Sequence, residues 1–172
     1  FSEDSALGTI IATSSVADPE SNTITYSLTG PGSEYFSVDE NGNVTLKDSL
    51  DFETYSNYEI TLVASDGELT TSSVITFDIS DVDEAPSLSS TLKSESFEES
   101  IAVGTALATI SSVDPESQTI TYSLSGTGSE NFEIDSEGNI TSKGTFDYET
   151  DTSYTFNVTA SDGTNSTTSP LT

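Results

Sequence analysis

Tyr58-Glu59-Ile60-Thr61-Leu62-Val63-Ala64-Ser65-Asp66-Gly67 is the stretch on which the fold turns. From Tyr58 to Leu62, apolar and polar residues alternate with a period of two, the spacing at which a strand shows one face to a core and the other to water. Asp66-Gly67 then supplies the positive backbone torsion that a tight reversal needs. The stretch therefore reads as a hairpin joining a strand over Tyr58–Ser65 to one over Leu69–Ser80. Outward from it the same texture continues. Thr23-Ile24-Thr25-Tyr26-Ser27-Leu28 alternates in the same way, and Asn41-Gly42 is a second hairpin signal. Thr, Ile, Val, Tyr and Phe fill the runs, while Gly, Asn, Asp and Ser punctuate them. No sustained helical period occurs.

The hairpin recurs. Asp66-Gly67 returns as Asp162-Gly163, and Asp18-Pro19-Glu20-Ser21 returns as Asp114-Pro115-Glu116-Ser117, each pair 96 positions apart. The offset holds without a gap from Phe1/Phe97 to Thr76/Thr172, and about half of the paired positions are identical. Self-similarity at this length means two copies of one domain. Short strands at regular spacing in a unit of about a hundred residues predict an all-β chain of two tandem Greek-key, immunoglobulin-like β-sandwiches, each with roughly seven strands. The expected domains are 1–83 and 84–172, divided by the connector Asp81-Val82-Asp83-Glu84-Ala85-Pro86, whose proline stops strand pairing. Ser87–Ser96 is expected to be the first strand of the second copy. The first copy has no counterpart before Phe1, and the second stops short of the counterpart of Ser80, so the chain reads as an excerpt of a longer one. The expected inward residues are Ile11, Ile24, Tyr26, Leu28, Phe36, Val38, Val44, Ile60, Leu62, Ala64, Ile75 and Phe77, then Leu107, Ile120, Tyr122, Leu124, Phe132, Ile134, Ile140, Phe156, Val158 and Ala160.

Charge narrows the function. The chain has 3 basic and 30 acidic residues among 172, a net charge of −27, with no Cys, His, Met or Trp. Such an excess repels itself and carries no basic nucleic-acid footprint. Without cysteine there is no disulfide staple, and bound cations are the substitute open to small domains. No apolar run approaches the ~20 residues that span a bilayer, so direct membrane insertion is not expected. The recurring acids sit at loops and strand ends: Glu3, Asp18, Glu20, Asp51, Glu53 and Asp66, then Glu99, Asp114, Glu116, Asp147, Glu149 and Asp162, with Asp81, Asp83 and Glu84 between. Hard carboxylate oxygens without His or Cys suit Ca²⁺ or Mg²⁺. Two like charges ~4 Å apart cost about 4 kcal/mol at an effective dielectric near 20, so converging acids need a divalent ion among them. Each acid also has a plainer reading. Asp66 and Asp162 precede Gly in hairpin turns, Asp18 and Asp114 precede Pro as turn starters, and Glu3 and Glu99 are edge charges that discourage pairing. Asn43, Asn139, Asn157 and Asn165 open Asn-x-Thr patterns but read as ordinary turn or strand residues.

Taken together, Glu3-Asp4 five residues before Gly8-Thr9, Leu50-Asp51-Phe52-Glu53, Ala64-Ser65-Asp66-Gly67 and the Asp81–Pro86 connector resemble tandem cadherin-type domains, in particular the bacterial cadherin-like repeats of large secreted adhesins. The second element is similar to the family's Leu-Asp-Arg-Glu, with Phe52 in place of Arg. The connector is similar to Asp-x-Asn-Asp-Asn-x-Pro but one residue shorter. The resemblance implies two to three Ca²⁺ ions at the joint between the domains. It assigns their ligands to Glu3, Asp51 and Glu53, to the Val82 carbonyl with Asp83 and Glu84, and to Asp114, Glu116 and Asp162. Asp18, Glu20 and Asp66 would serve a preceding joint, and Glu99, Asp147 and Glu149 a following one.

The expected function is accordingly a calcium-rigidified spacer and cell-adhesion module of an extracellular bacterial adhesin, partnered by neighbouring repeats of its own chain. Two other readings stay open: a carbohydrate-binding module contacting polysaccharide through Tyr35, Tyr55 or Tyr148, and homophilic adhesion to identical molecules on other cells. Paired carboxylates can also run glycoside hydrolysis. Their presence in both copies, with no His, Cys or Trp, argues against an enzyme.

Overall fold

The computed structural model describes residues 1–20, 22–94 and 96–172. Ser21 of the first acidic motif and Glu95 of the expected strand lie outside them. Residues Phe1–Val82 and Asp83–Thr172 form two separate compact units.

In the first unit, six strands make two antiparallel three-stranded sheets. One sheet runs β1 (Ile10–Thr13), β4 (Asn43–Leu46), β3 (Phe36–Val38), and the other β2 (Thr25–Thr29), β5 (Asn57–Ser65), β6 (Thr70–Asp78). The alternation read from Tyr58 onward governs β5: Tyr58, Ile60, Leu62 and Ala64 are buried, and the residues between them are not. Register aligns like with like across the second sheet, Tyr26 opposite Ala64, Leu28 opposite Leu62, Ile60 opposite Ile75 and Tyr58 opposite Phe77. Phe36, Val44 and Leu46 from the other sheet complete the core, with Leu50 and Ile79 from the flanking segments. Burying one such side chain contributes about 1.5–3 kcal/mol, so the sandwich is held chiefly by these inner faces. Leu46, Leu50, Tyr58 and Ile79 were not among the expected inward residues. Ile24, which was, is half-buried just before β2 and lies outside the core cluster.

The second unit repeats the plan with one more strand, seven among the described residues. Its larger sheet runs β10 (Phe132–Ile134), β11 (Asn139–Ser142), β8 (Ala106–Ser111), β7 (Ser89–Leu92), and its smaller one β13 (Ser166–Leu171), β12 (Phe156–Ser161), β9 (Thr121–Ser125). The strand expected over Ser87–Ser96 is β7, shorter than that span and paired with β8. Phe132, Ile140, Phe156 and Val158 fill the core as expected, joined by Ala108, Ile110 and Leu171. Ala108 and Ile110 escape a period-two reading because of a bulge. β8 slips by one residue between its partners Thr141 and Ile140, leaving Leu107 as the extra residue. β1 slips at Ile11, the counterpart of Leu107 in the repeat. A bulge breaks strict alternation and raises local twist, and its recurrence 96 residues on marks it as part of the design.

Gly138, like its counterpart Gly42, is imposed by contact as well as by torsion. Gly138 has φ +80, and a Cβ there would lie 2.4 Å from the carbonyl oxygen of Ile110, which accepts no such intrusion.

Ile60→Ala should destabilise the first unit by about 2–5 kcal/mol through lost contacts and a residual cavity. Val74→Ala, at a side chain 58% exposed on β6, should stay within about 0.5 kcal/mol. Urea unfolding of both variants checks the contrast.

Candidate metal centre

Glu3 is the best-built carboxylate of the first unit. It is 7% exposed, and both oxygens accept backbone hydrogen bonds, Oε2 from Phe52 N–H at 2.7 Å and Oε1 from Val82 N–H at 2.7 Å. The neighbouring main chain is tied as well, Glu3 N–H donating to Ser80 O at 3.3 Å and Ser2 forming a parallel bridge with Ser80. One side chain thus gathers the chain start, the Asp51–Glu53 turn and the end of the unit. Asp51 and Glu53 are exposed on that turn, and Asp51 Oδ1 accepts from Thr54 N–H at 2.8 Å, which holds the turn's shape. Glu3 is therefore more than an edge charge: its orientation fixes where Asp51, Glu53 and Val82 sit.

In the second unit the acids collect by a different device. Asp83 accepts from the Gln118 side-chain amide through Oδ1 and from Asn165 Nδ2 at 3.0 Å through Oδ2, while its carbonyl accepts from the same Asn165 nitrogen at 2.6 Å. Gln118 follows Asp114 by four residues and Asn165 follows Asp162 by three, so Asp83 straps both acidic loops to one end of the unit. Neither amide was singled out from sequence. Asn165 was read as an ordinary residue, and its role depends on a contact 82 positions away that no local pattern carries.

Within these loops, each aspartate spends one oxygen on its own turn. Asp114 Oδ1 accepts from Gln118 N–H at 2.7 Å, and Asp162 Oδ1 from Thr164 N–H at 2.6 Å and Asn165 N–H at 2.7 Å. Ser117, the one non-glycine residue with positive φ among the described residues, at 62°, closes the first turn by donating to Asp114 O at 3.1 Å. The other oxygens are left over. Asp114 Oδ2, Asp162 Oδ2 and both Glu116 oxygens are buried and accept no hydrogen bond. An unsatisfied buried acceptor costs about 1–3 kcal/mol, and more when charged. Several in one unit are tolerable only with a cation. The turn reading of Asp114 and Asp162 is thus right for one oxygen and silent on the other. With no His or Cys in the chain, the donor set is all hard oxygen and fits Ca²⁺.

Glu99, Asp147 and Glu149 each place an oxygen within 4.8 Å of the other two, all exposed. Glu99 Oε2 accepts from Tyr148 N–H at 2.8 Å, repeating the Glu3–Phe52 bond of the first unit. Asp18 keeps the turn bond of its counterpart, accepting from Asn22 N–H at 2.9 Å. The tyrosines expected of a sugar site fall in both units. Tyr35 and Tyr55 line a cavity of about 300 Å³ in the first unit, and Tyr148 borders another in the second.

The cadherin domain family model matches residues 1–87 and 93–172. This chain belongs to the cadherin family. Cadherin-related family member 1 of Gallus gallus is 34% identical over 173 residues, which are 95% of this chain and 20% of that protein. Protocadherin Fat 1 of Homo sapiens is 30% identical over 175 residues, 94% of the chain and 4% of that protein. Among solved structures, protocadherin gamma B2 extracellular cadherin domains 3–6 align at a TM-score of 0.62 and 25% identity over 99% of the chain and 43% of that structure. The chain therefore spans a fifth or less of these curated relatives. Its domains are of the calcium-binding, extracellular cell-adhesion kind, a non-enzymatic one. No helix among the described residues is long and apolar enough to cross a membrane.

The turns that carry these acids should weaken in acid. Asp66 is held below the ordinary 3.8 by the N–H groups of Leu69 and Glu68. Asp39 and Asp135 are lowered likewise, by the side chains and backbone of Asn43 and Asn139. A carboxyl whose folded pKa is depressed contributes stability that is present above its unfolded pKa and lost as pH falls through the folded one. NMR titration of the three carboxyls should give midpoints below 3.8, with loss of the three β-hairpins that carry them beginning beneath that value.

Proposed function

We propose that Ca²⁺ bound at the joint fixes the two cadherin domains relative to each other, so that the pair acts as a stiff spacer in an adhesive cell-surface protein. The carrying observation is the set of buried, unaccepted oxygens on Asp114, Glu116 and Asp162. The proposed ligands are Glu3, Asp51 and Glu53 of the first domain, the Val82 carbonyl, and Asp83, Glu84, Asp114, Glu116 and Asp162 of the second, sharing two to three ions. When bound, the ion supplies the positive charge these oxygens lack. The protein's own part is placement. Glu3 orients the 51–53 turn and Val82 through its two backbone bonds, and Asp83 aligns the 114 and 162 loops through Gln118 and Asn165. Asp83 engages two amides, which leaves its carboxylate a steering role beside its remaining acceptor capacity.

Extracellular calcium modules have dissociation constants of about 10⁻⁴–10⁻³ M, a range that leaves the joint loose at cytosolic calcium and filled outside the cell. Saturation at 100 times such a constant stabilises by only about 2.7 kcal/mol, so the main result is geometric. We place the parent protein among large bacterial surface adhesins on the strength of the gap-free tandem repeat and the acidic excess; the relatives named above are animal proteins. Homophilic adhesion is a second reading, favoured by membership of the cadherin family. In the animal members it classically uses a tryptophan, and this chain has none, so self-association here would use another contact. A polysaccharide ligand, contacted through Tyr35, Tyr55 or Tyr148, is the third.

Calorimetric titration should show two to three Ca²⁺ sites, and Glu84→Ala should weaken them more than Glu99→Ala; equal isotherms contradict the assignment. In solution scattering, chelator should broaden the spread of the radius of gyration with little loss of strand content. Superimposable curves with and without chelator would end the spacer reading.

A further inference from the structure

In the first unit, Phe77 and Ile79 pack into one core cluster with Phe36, Leu50 and Tyr58. Phe77 meets Phe36 edge-on at 5.1 Å and 86° and lies flat against Tyr58 at 5.8 Å and 13°. Ile79 is buried beside them. The segment that carries these two side chains is held along both of its edges. On one side Phe77 pairs with Tyr58 and Asp78 with Asn57, and Ile79 N–H donates to Ser56 O at 2.9 Å. On the other, Ser80 bridges in parallel with Ser2 and donates to Phe1 O.

The second unit builds the same walls around an open space. Phe36, Leu50 and Tyr58 correspond to Phe132, Phe146 and Tyr154. There these three, with Leu92, Phe97 and Leu107, line a chiefly apolar cavity of about 300 Å³. Tyr154 is half-buried where Tyr58 is buried, and Leu92 at the rim is 41% exposed. Phe97 takes a different neighbour from its counterpart: Phe1 packs on Phe77 at 6.1 Å, whereas Phe97 packs on the wall residue Phe146 at 4.8 Å. Backbone edges frame the opening. Asn57 corresponds to Ser153, yet β12 begins only at Phe156, opposite Leu171, so residues 153–155 are in no ladder among the described residues. Phe97 and Glu99 form the facing rim. Glu99 holds that rim in place through Tyr148 N–H, as Glu3 does through Phe52 N–H.

We propose that this cavity is a strand-acceptor groove. It binds an extended peptide carrying an aromatic side chain and, two residues on, a β-branched aliphatic one, laid between residues 153–155 and Phe97 as Phe77-Asp78-Ile79 is laid in the first unit. A peptide rather than a free apolar molecule follows from the rims, since an added strand gains main-chain hydrogen bonds along an open edge and specificity from pockets for alternate side chains. The aromatic position follows from Phe132 and Tyr154, which offer one edge-on and one flat contact to a ring placed as Phe77 is. None of the calcium ligands proposed above lines this cavity, so the inference stands apart from the calcium reading.

The test is NMR of the whole 172-residue chain in saturating calcium, titrated with the peptide Phe-Asp-Ile-Ser-Asp-Val, the sequence of residues 77–82, capped at both ends. The expected result is saturable shifts of Phe97, Tyr148 and Tyr154, with slowed amide exchange at residues 153–155 and unmoved signals at Tyr58, whose groove is filled. Replacing the peptide's Phe by Ser should weaken binding about ten-fold or more, the value of burying one large apolar side chain. Phe97→Ala, at a half-exposed rim position, should weaken it about two- to ten-fold, the worth of one aromatic pair. Circular dichroism checks that this variant is folded, and the peptide series decides alone if it is not. Absence of saturation overturns the proposal, as does equal binding of a scrambled peptide or of the Phe-to-Ser peptide. Equal shifts around Tyr58 overturn it too, and so does cyclohexanol moving the Tyr154 signals at lower concentration than the peptide, which would make the cavity a small-molecule pocket.

Discussion

A carboxylate taken out of water must find donors or a cation, and that requirement organises each unit of this molecule. The first unit meets it with the backbone: Glu3 is buried because Phe52 and Val82 turn their N–H groups toward it. The second meets it only by halves. Its aspartates satisfy one oxygen in their own turns and leave the other without a donor, and Glu116 satisfies neither. The difference is one of remaining capacity: a carboxylate with a donor on each oxygen positions its neighbours and keeps only its spare lone pairs, and one with an undonated oxygen has more left for a cation.

Duplication inside one chain gives an internal control on these assignments. The bulge at Ile11 and Leu107, the Asp18 and Asp114 turns, and the Glu3 and Glu99 bonds to residues 52 and 148 all recur, so they belong to the domain's plan. What does not recur is local chemistry. Leu46 in the first core is replaced by Ser142 in the second, wholly buried, donating to Ala102 O at 2.9 Å and accepting from Thr105 N–H at 3.1 Å. The rings of Tyr35 and Tyr55 likewise belong to one copy alone, their counterparts being Asn131 and Asp151. Shared features follow from the fold, and differences mark where each copy has been put to separate use.

Much of the architecture was legible because its cause is local. Alternation in β5 and β12, the Asp-Gly reversals and the 96-residue offset each need only a few adjacent residues to be recognised. The bulges were not legible, since a one-residue slip leaves no distinct composition, and they hid Ala108 and Ile110 from the expected core. Leu46 and Leu50 were hidden for a related reason, lying where a strand gives way to a loop. At the site, the acids stood out by type and repetition. The groups that aim them did not: Gln118 and Asn165 are unremarkable amides whose meaning comes from Asp83, and Glu3's double bond to the backbone joins positions 49 and 79 residues apart.

The pairing of Ser2 with Ser80 is parallel, and Phe1 also accepts the backbone N–H and hydroxyl bonds of Ser80. Two segments that run side by side in the same direction, one entering the domain and one leaving it, slide past each other when the domain is pulled from its ends. The bonds between them then bear the load in shear, all together, whereas a hairpin pulled at its open end gives way one rung at a time. Glu3, clasping Val82 across that seam, sits on the same line of force and resists the first slip.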